Sequence, residues 1–209
     1  MTDPTHHLPD AMLAALAAGT LPYPFALIAA AHVSLCDDCR ARLEAHRALG
    51  GLVLDGLAPA PLSAGARDRA LAALDRPRPK APPAGGPWPA PIDALIGAQG
   101  PRWRSLGFGA KQAILWAGPA GSLRLLSIPA DQAVPEHGHG GLELTLVLSG
   151  AFADETGAYR AGDLEVADDG LEHTPRTLGG EPCLCLAATD APLRFRSILP
   201  RLLQPIFRI

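Results

Sequence analysis

Long apolar runs are missing from this sequence; none approaches the ~18 residues that a membrane-spanning helix needs. A secretory signal is missing too. The stretch from Met1 to His7 has no basic region followed by an apolar one, so the protein is expected in the cytosol. Positive charge is not in excess. The net charge is −3 and the pI about 6.1, which argues against nucleic acid as a direct partner. Cysteine is scarce, with four residues, and in the cytosol these stay reduced. That favours metal binding over structural disulfides. No internal repeat occurs at solenoid spacing. What remains is 209 residues, 48% of them hydrophobic, enough for one large or two small domains.

The densest chemistry lies in Ala31-His32-Val33-Ser34-Leu35-Cys36-Asp37-Asp38-Cys39. Its His-x3-Cys-x2-Cys spacing puts three metal ligands on one face of a continuous helix. If one helix ends near Leu35 and another starts at Asp37, the same residues meet at the corner. Either arrangement suits Zn²⁺, which takes cysteine sulfur and histidine nitrogen in a closed tetrahedral site. A fourth ligand is required, and the adjacent His6 and His7 are both candidates. His46 lies too far along the chain to ligate and is expected to be solvated or packed.

Apolar residues at helical spacing predict four helices in residues 1–75. The first covers 9–18, with Pro9 in its first turn and Gly19 at its end. The second starts after Pro22 or Pro24 and the third near Asp37, where two carboxylates complement the helix dipole. Ser63 is the expected cap of the fourth. So small an all-helical unit benefits from a staple, which zinc would supply. Residues 76–91 are rich in proline and read as an extended, semi-rigid linker. Trp88 is its expected docking anchor. A linker in this position implies two modules able to move relative to each other.

From residue 92 to 209 the pattern changes to short alternating segments separated by glycines, as in a sandwich or barrel. Trp103 and Trp116 are expected in its core. His137, His139 and Glu143 have the same parity, so on extended backbone they face one side. His173, after a further strand and turn, could complete the set. Three imidazoles and a carboxylate suit Zn, Fe, Mn or Ni, and spacing does not choose among them. Cys183 and Cys185 share one face of a strand, either as small hydrophobes in the barrel wall or as a redox-sensitive pair.

These residues carry a resemblance. His137-x-His139-x3-Glu143-x6-Gly150 resembles the first motif of the cupin superfamily, and Gly162-x5-Asp168-x-Gly170-x2-His173 resembles the second. The usual proline is Asp168 and the usual terminal asparagine is Thr177; neither is a ligand in the family pattern. The resemblance implies a double-stranded β-helix barrel with a metal inside. Taken with the early histidine, the His-x3-Cys-x2-Cys corner and the Cys-x-Cys strand, the whole chain is similar to ChrR-type zinc anti-sigma factors. That implies a two-domain protein: a zinc-binding helical bundle holding Zn²⁺ by His7, His32, Cys36 and Cys39, and a cupin domain holding a second metal by His137, His139, Glu143 and His173. It also implies that the helical domain clamps an extracytoplasmic-function sigma factor. The cupin domain would release that partner under singlet oxygen or organic peroxide stress. The competing readings are a cupin dioxygenase or isomerase with a zinc-stapled accessory domain, and a passive zinc-stapled interaction module.

Overall fold

A computed structural model describes residues 3–77 and 88–196. The centre of the expected linker, 78–87, and the end of the expected barrel domain, 197–209, lie outside the described residues. Among those described, the helices are α1 (Asp10–Ala17), α2 (Tyr23–Leu35), α3 (Asp37–Asp55), α4 (Ala66–Leu74) and α5 (Ala90–Ile96). No described helix is long and apolar enough to cross a membrane.

Proline sets three of the helix starts. Pro9, Pro22 and Pro89 stand in extended backbone directly before α1, α2 and α5, and Pro24 and Pro91 sit in the first turns. There a missing N–H costs nothing. The junction of α2 and α3 is the predicted corner. Cys36 is extended (φ −119°, ψ 112°), so it ends one helix and starts the next. Its Sγ accepts the Cys39 N–H at 3.4 Å. The start of α4 differs from expectation. Gly65, left-handed at φ 72°, stands at the cap position, which glycine reaches without steric cost. The Ser63 hydroxyl instead accepts a hydrogen bond from Arg69 Nη2 at 2.7 Å. Helix α5 was hidden from the sequence by its proline-rich surroundings.

Twelve strands follow among the described residues: β1 (Arg104–Gly107), β2 (Ala110–Gly118), β3 (Gly121–Ile128), β4 (His137–His139), β5 (Glu143–Ser149), β6 (Ala151–Ala153), β7 (Ala158–Arg160), β8 (Leu164–Ala167), β9 (Glu172–His173), β10 (Arg176–Thr177), β11 (Cys183–Thr189) and β12 (Leu193–Phe195). A six-stranded antiparallel sheet has the order β1-β2-β3-β11-β5-β8, and two three-stranded sheets have the orders β10-β6-β7 and β12-β4-β9. Alternation along the large sheet serves two faces. Leu123, Leu125, Leu144, Leu146, Leu164, Leu186 and Ala188 join the cluster that contains the helices. Their neighbours Arg124, Leu126, Thr145, Glu165, Cys185 and Ala187 line a cavity on the other side.

Helix α2 lies on β3, β5 and β11. It buries Phe25, Ile28, Ala29, Ala31, His32 and Val33, a wide arc that suits a helix covered on several sides. Leu13 of α1, Leu43 of α3 and Ile92 of α5 belong to the same cluster, so helices and sheet share one core. Tyr23 meets Trp116 edge-on across this boundary, with ring centroids 5.2 Å apart. Trp88 is half-buried against the shared core, in keeping with an anchor; Trp103 is exposed rather than packed inside. The expected four-helix unit is in effect three helices and an appendage, since α4 buries no residue.

Replacing the fully buried Ile28 with alanine is expected to cost about 2–5 kcal/mol. Because the core is shared, urea unfolding followed by helical circular dichroism and by tryptophan fluorescence should shift together. A shift in the helical signal alone would contradict a common core.

Two candidate metal centres

The α2–α3 corner and the segment before α1 bring four ligand atoms together. One atom each from His7, His32, Cys36 and Cys39 lies within 4.8 Å of all the others. His7 Nδ1 is 3.3 Å from Cys36 Sγ, and His32 Nε2 is 3.3 Å from Cys39 Sγ. Such spacings fit the edges of a tetrahedron around one zinc-sized ion. Between the two candidates for the fourth position, His7 joins this group. His6 turns away and packs its ring on Tyr159 of the barrel at 4.4 Å between centroids. His46 approaches Asp10 at 3.7 Å on the surface.

Electrostatics at this corner favour the neutral forms of His32 and Cys39 while no cation is present. Burial pushes the His32 imidazole down to about 4 and the Cys39 thiol up to about 11. A divalent cation would reverse the cost for Cys39 by pairing with its thiolate. His32 has its other nitrogen fixed: Nδ1 donates to the Gly162 carbonyl at 3.0 Å, leaving Nε2 to face the sulfur atoms.

The second set lies in the barrel. Strand β4 carries His137 and His139, and its antiparallel neighbour β9 places His173 opposite His137. The Nε2 atoms of His137 and His139 are 3.2 and 3.1 Å from His173 Nε2. All three rings are buried. Two of them have Nδ1 engaged: His137 with the Pro135 carbonyl at 2.8 Å and His173 with Asp154 Oδ2 at 2.5 Å. Neutral rings so fixed would turn lone pairs toward one another. Without a cation, a proton on His173 relieves this. Burial alone would lower that group, but the hydrogen bonds to Glu165 and Asp154 outweigh it and hold it at about 9. His137 and His139 are pushed down to about 4 by burial. A divalent ion would satisfy all three nitrogens at once, so the donor set fits one.

Glu143, expected in this set, lies beside it. Its Oε2 is 3.7 Å from His139 Nδ1, its Oε1 accepts from the Thr145 hydroxyl at 3.1 Å, and it lines the same cavity as His137 and His173. Burial raises its carboxyl. Two carboxylates escaped the sequence reading. Asp154 and Glu165 form a second buried group with His173, with Glu165 Oε1 3.4 Å from His173 Nδ1. Burial lifts Glu165 to about 7, while hydrogen bonds keep Asp154 below the usual carboxylate range against its own burial. The available signal was a charged residue at Glu165 inside the short apolar segment Leu164–Ala167.

A cavity of about 260 Å³ opens beside the histidines, lined mainly by apolar residues including Leu126, Ile128, Val134 and Phe195. Cys183 and Cys185 face it with sulfur atoms 3.5 Å apart. Their mutual hydrogen bond lowers the Cys183 thiol and raises that of Cys185 well above the ordinary value.

The family model for the ChrR cupin-like domain matches residues 93–191. The anti-sigma-E factor ChrR of Cereibacter sphaeroides is 53% identical over 212 aligned residues, which cover 98% of each chain. The crystal structure of Rhodobacter sphaeroides SigE in complex with the anti-sigma ChrR contains a chain that is 51% identical. The match covers 88% of this chain and 98% of that one, with a TM-score of 0.78. With helical corner, cupin-like barrel and near-full-length identity in agreement, this chain belongs to the ChrR family.

Proposed function

We infer that the protein is an anti-sigma factor: a transcriptional regulator, not an enzyme, that sequesters an extracytoplasmic-function sigma factor in the cytoplasm. The observation that carries this reading is an apolar surface on the helical unit. The first half of α3 buries Cys39 and Leu43, whereas its second half exposes Leu49, Leu52, Val53 and Leu54. Leu49, Leu52 and Val53 follow helical spacing, and Leu57 continues the row beyond the helix end. On α4, Leu71 and Leu74 are exposed one turn apart. Exposed large apolar side chains in such number on one helical unit mark a site for a protein partner. The related ChrR, crystallised with SigE, supplies the class of partner.

In this reading residues 1–75 are the sigma-binding unit, 76–91 a linker and 92–209 the cupin domain. Zinc held by His7, His32, Cys36 and Cys39 fixes the angle between α2 and α3, and so aims the exposed half of α3. A second ion, of open identity, is held by His137, His139 and His173 with Glu143 beside them. Release of the sigma factor in an oxidative stress response is the finer part of the proposal. The paired sulfur atoms of Cys183 and Cys185 beside the second metal set support it.

The SigE of the sphaeroides relative, immobilised, is a direct probe. The unaltered chain should bind it, and Leu52→Asp with Leu71→Asp should weaken binding at least about tenfold, roughly 1.4 kcal/mol. Equal binding by the variant would remove α3 and α4 from the contact. Failure of the unaltered chain to hold this or any extracytoplasmic-function sigma factor from its own cytosol would sink the reading.

Cys36→Ser with Cys39→Ser should abolish sigma binding and remove one equivalent of bound zinc by elemental analysis. The near-ultraviolet signal of the barrel should persist. At the second set, Asp154→Asn removes the carboxylate charge facing His173 Nδ1. Divalent-ion affinity there should fall about 10–100-fold in chelator competition.

A further inference from the structure

One four-residue segment of the barrel touches both candidate metal centres. Gly162 and Asp163 lie at its start. The Gly162 carbonyl accepts the buried hydrogen bond from His32 Nδ1. Asp163, almost fully buried, accepts from the backbone N–H groups of Thr5 at 2.6 Å and His6 at 2.9 Å through Oδ1. Its Oδ2 accepts from Arg160 N–H at 2.8 Å, which fixes the carboxylate within its own turn. Leu164 N–H then donates to the His6 carbonyl at 3.3 Å. The residue after His6 is the ligand His7. Thus two of the four residues in the helical set are positioned by the barrel. The approach is close: Gly162 has φ 96°, and a Cβ there would come within 2.9 Å of Pro4 Cγ.

At the other end of the segment is Glu165. Leu164 faces the shared core, so Glu165, the next residue, faces the barrel interior. There it stands 3.4 Å from His173 Nδ1, buried with Asp154. The segment is the turn that leads into β8 and the first two residues of that strand, which among the described residues is an edge strand paired on one side with β5, with Thr145 opposite Glu165. Its free side is the one on which residues 5–7 lie. A shift of this strand that moves Glu165 against His173 therefore moves Gly162 and Asp163 against His32 and the segment before His7.

We propose that Gly162–Glu165 is a mechanical coupler between the two centres: loading of the imidazole set strengthens metal binding at the thiolate set, and Asp163 is the positioning residue through which the effect passes. The proposal rests on the reading that both sets bind a divalent ion. It gives the barrel a route to the sigma-binding helices that needs no change in the linker. Coupling of two binding sites in one chain is reciprocal, and is commonly about 5- to 150-fold. The outer-sphere hydrogen bonds of a metal-binding histidine set its ring orientation, which is why a carbonyl at His32 Nδ1 matters.

Cobalt(II) separates the sites, because only the cysteine set gives a thiolate-to-cobalt charge-transfer band. The full chain is titrated with cobalt(II) alone, and the affinity is read from that band. It is compared with that of His137→Ala, His139→Ala, in which the imidazole set cannot load. The expected result is at least a fivefold loss of affinity at the thiolate site in the double variant. With Asp163→Asn in both backgrounds, that difference should shrink to less than twofold. If the double variant fails to fold by near-ultraviolet circular dichroism, Glu165→Gln replaces it at conserved volume, with the same fivefold expectation. Equal affinities with and without a working imidazole set would overturn the proposal. A difference that survives Asp163→Asn would overturn the assignment to this segment. Absence of the band in the unaltered chain, or its persistence in Cys36→Ser, Cys39→Ser, would instead fail the underlying zinc reading.

Discussion

The seating of α2 on the six-stranded sheet is the contact on which the rest depends. It takes Phe25 and Ile28 out of water and covers the outer side chains of β3, β5 and β11. Apolar burial of that kind is the main favourable term in folding. It also decides geometry. With α2 fixed on the sheet, His32 near its C-terminal end reaches the Gly162 carbonyl, and the Cys36 corner is held at a set distance from the barrel. Helix α1 and the first half of α3 then pack around α2. Among the described residues, the second half of α3 and all of α4 have no equivalent surface to lie on.

The two centres solve different electrostatic problems. At the helical corner the ligands come from two helix ends and the chain before them. Burial there disfavours the thiolate, so an ion is needed to make the corner stable as a charged unit. In the barrel the three imidazoles are imposed by strand register. His137 and His173 face each other because β4 and β9 pair, and His139 follows at the next inward position. Their mutual approach is offset by Asp154 and Glu165 behind His173. One centre is therefore a joint between elements, and the other a lining of a rigid wall with a cavity in front of it.

Much of this was legible because punctuation residues act locally. Pro9, Pro22 and Pro24 start helices wherever they occur, and the turn at Cys36 follows from competing helix signals on either side. The spacing of His32, Cys36 and Cys39 survives folding because it lies within one corner. The alternation of β3, β5 and β11 was visible as strand, but not which face met the helices, since both faces are covered. For the same reason Glu165 was not singled out from its strand, although it is buried. Asp154 gave no signal, because its role is defined by His173, nineteen positions later in the sequence. The shared core was not legible either. A proline-rich stretch suggests separation, while the surfaces it separates in sequence are complementary in space. Spacing alone left His6 beside His7, and the resemblance chose His7; in the fold His7 joins the other three ligands while His6 packs on Tyr159.

The uneven burial of α3 has a consequence for how much of this protein a cell can hold unpaired. An apolar row from Leu49 to Leu57, and a second exposed pair at Leu71 and Leu74, cost solvation free energy for as long as they face water. A copy without a partner lowers that cost by meeting another copy, or by presenting itself to the proteases that clear exposed apolar segments. A chain with its partner would keep that row covered, and a chain without one would leave it open. Dosage, as much as affinity, is written into the bare half of that helix.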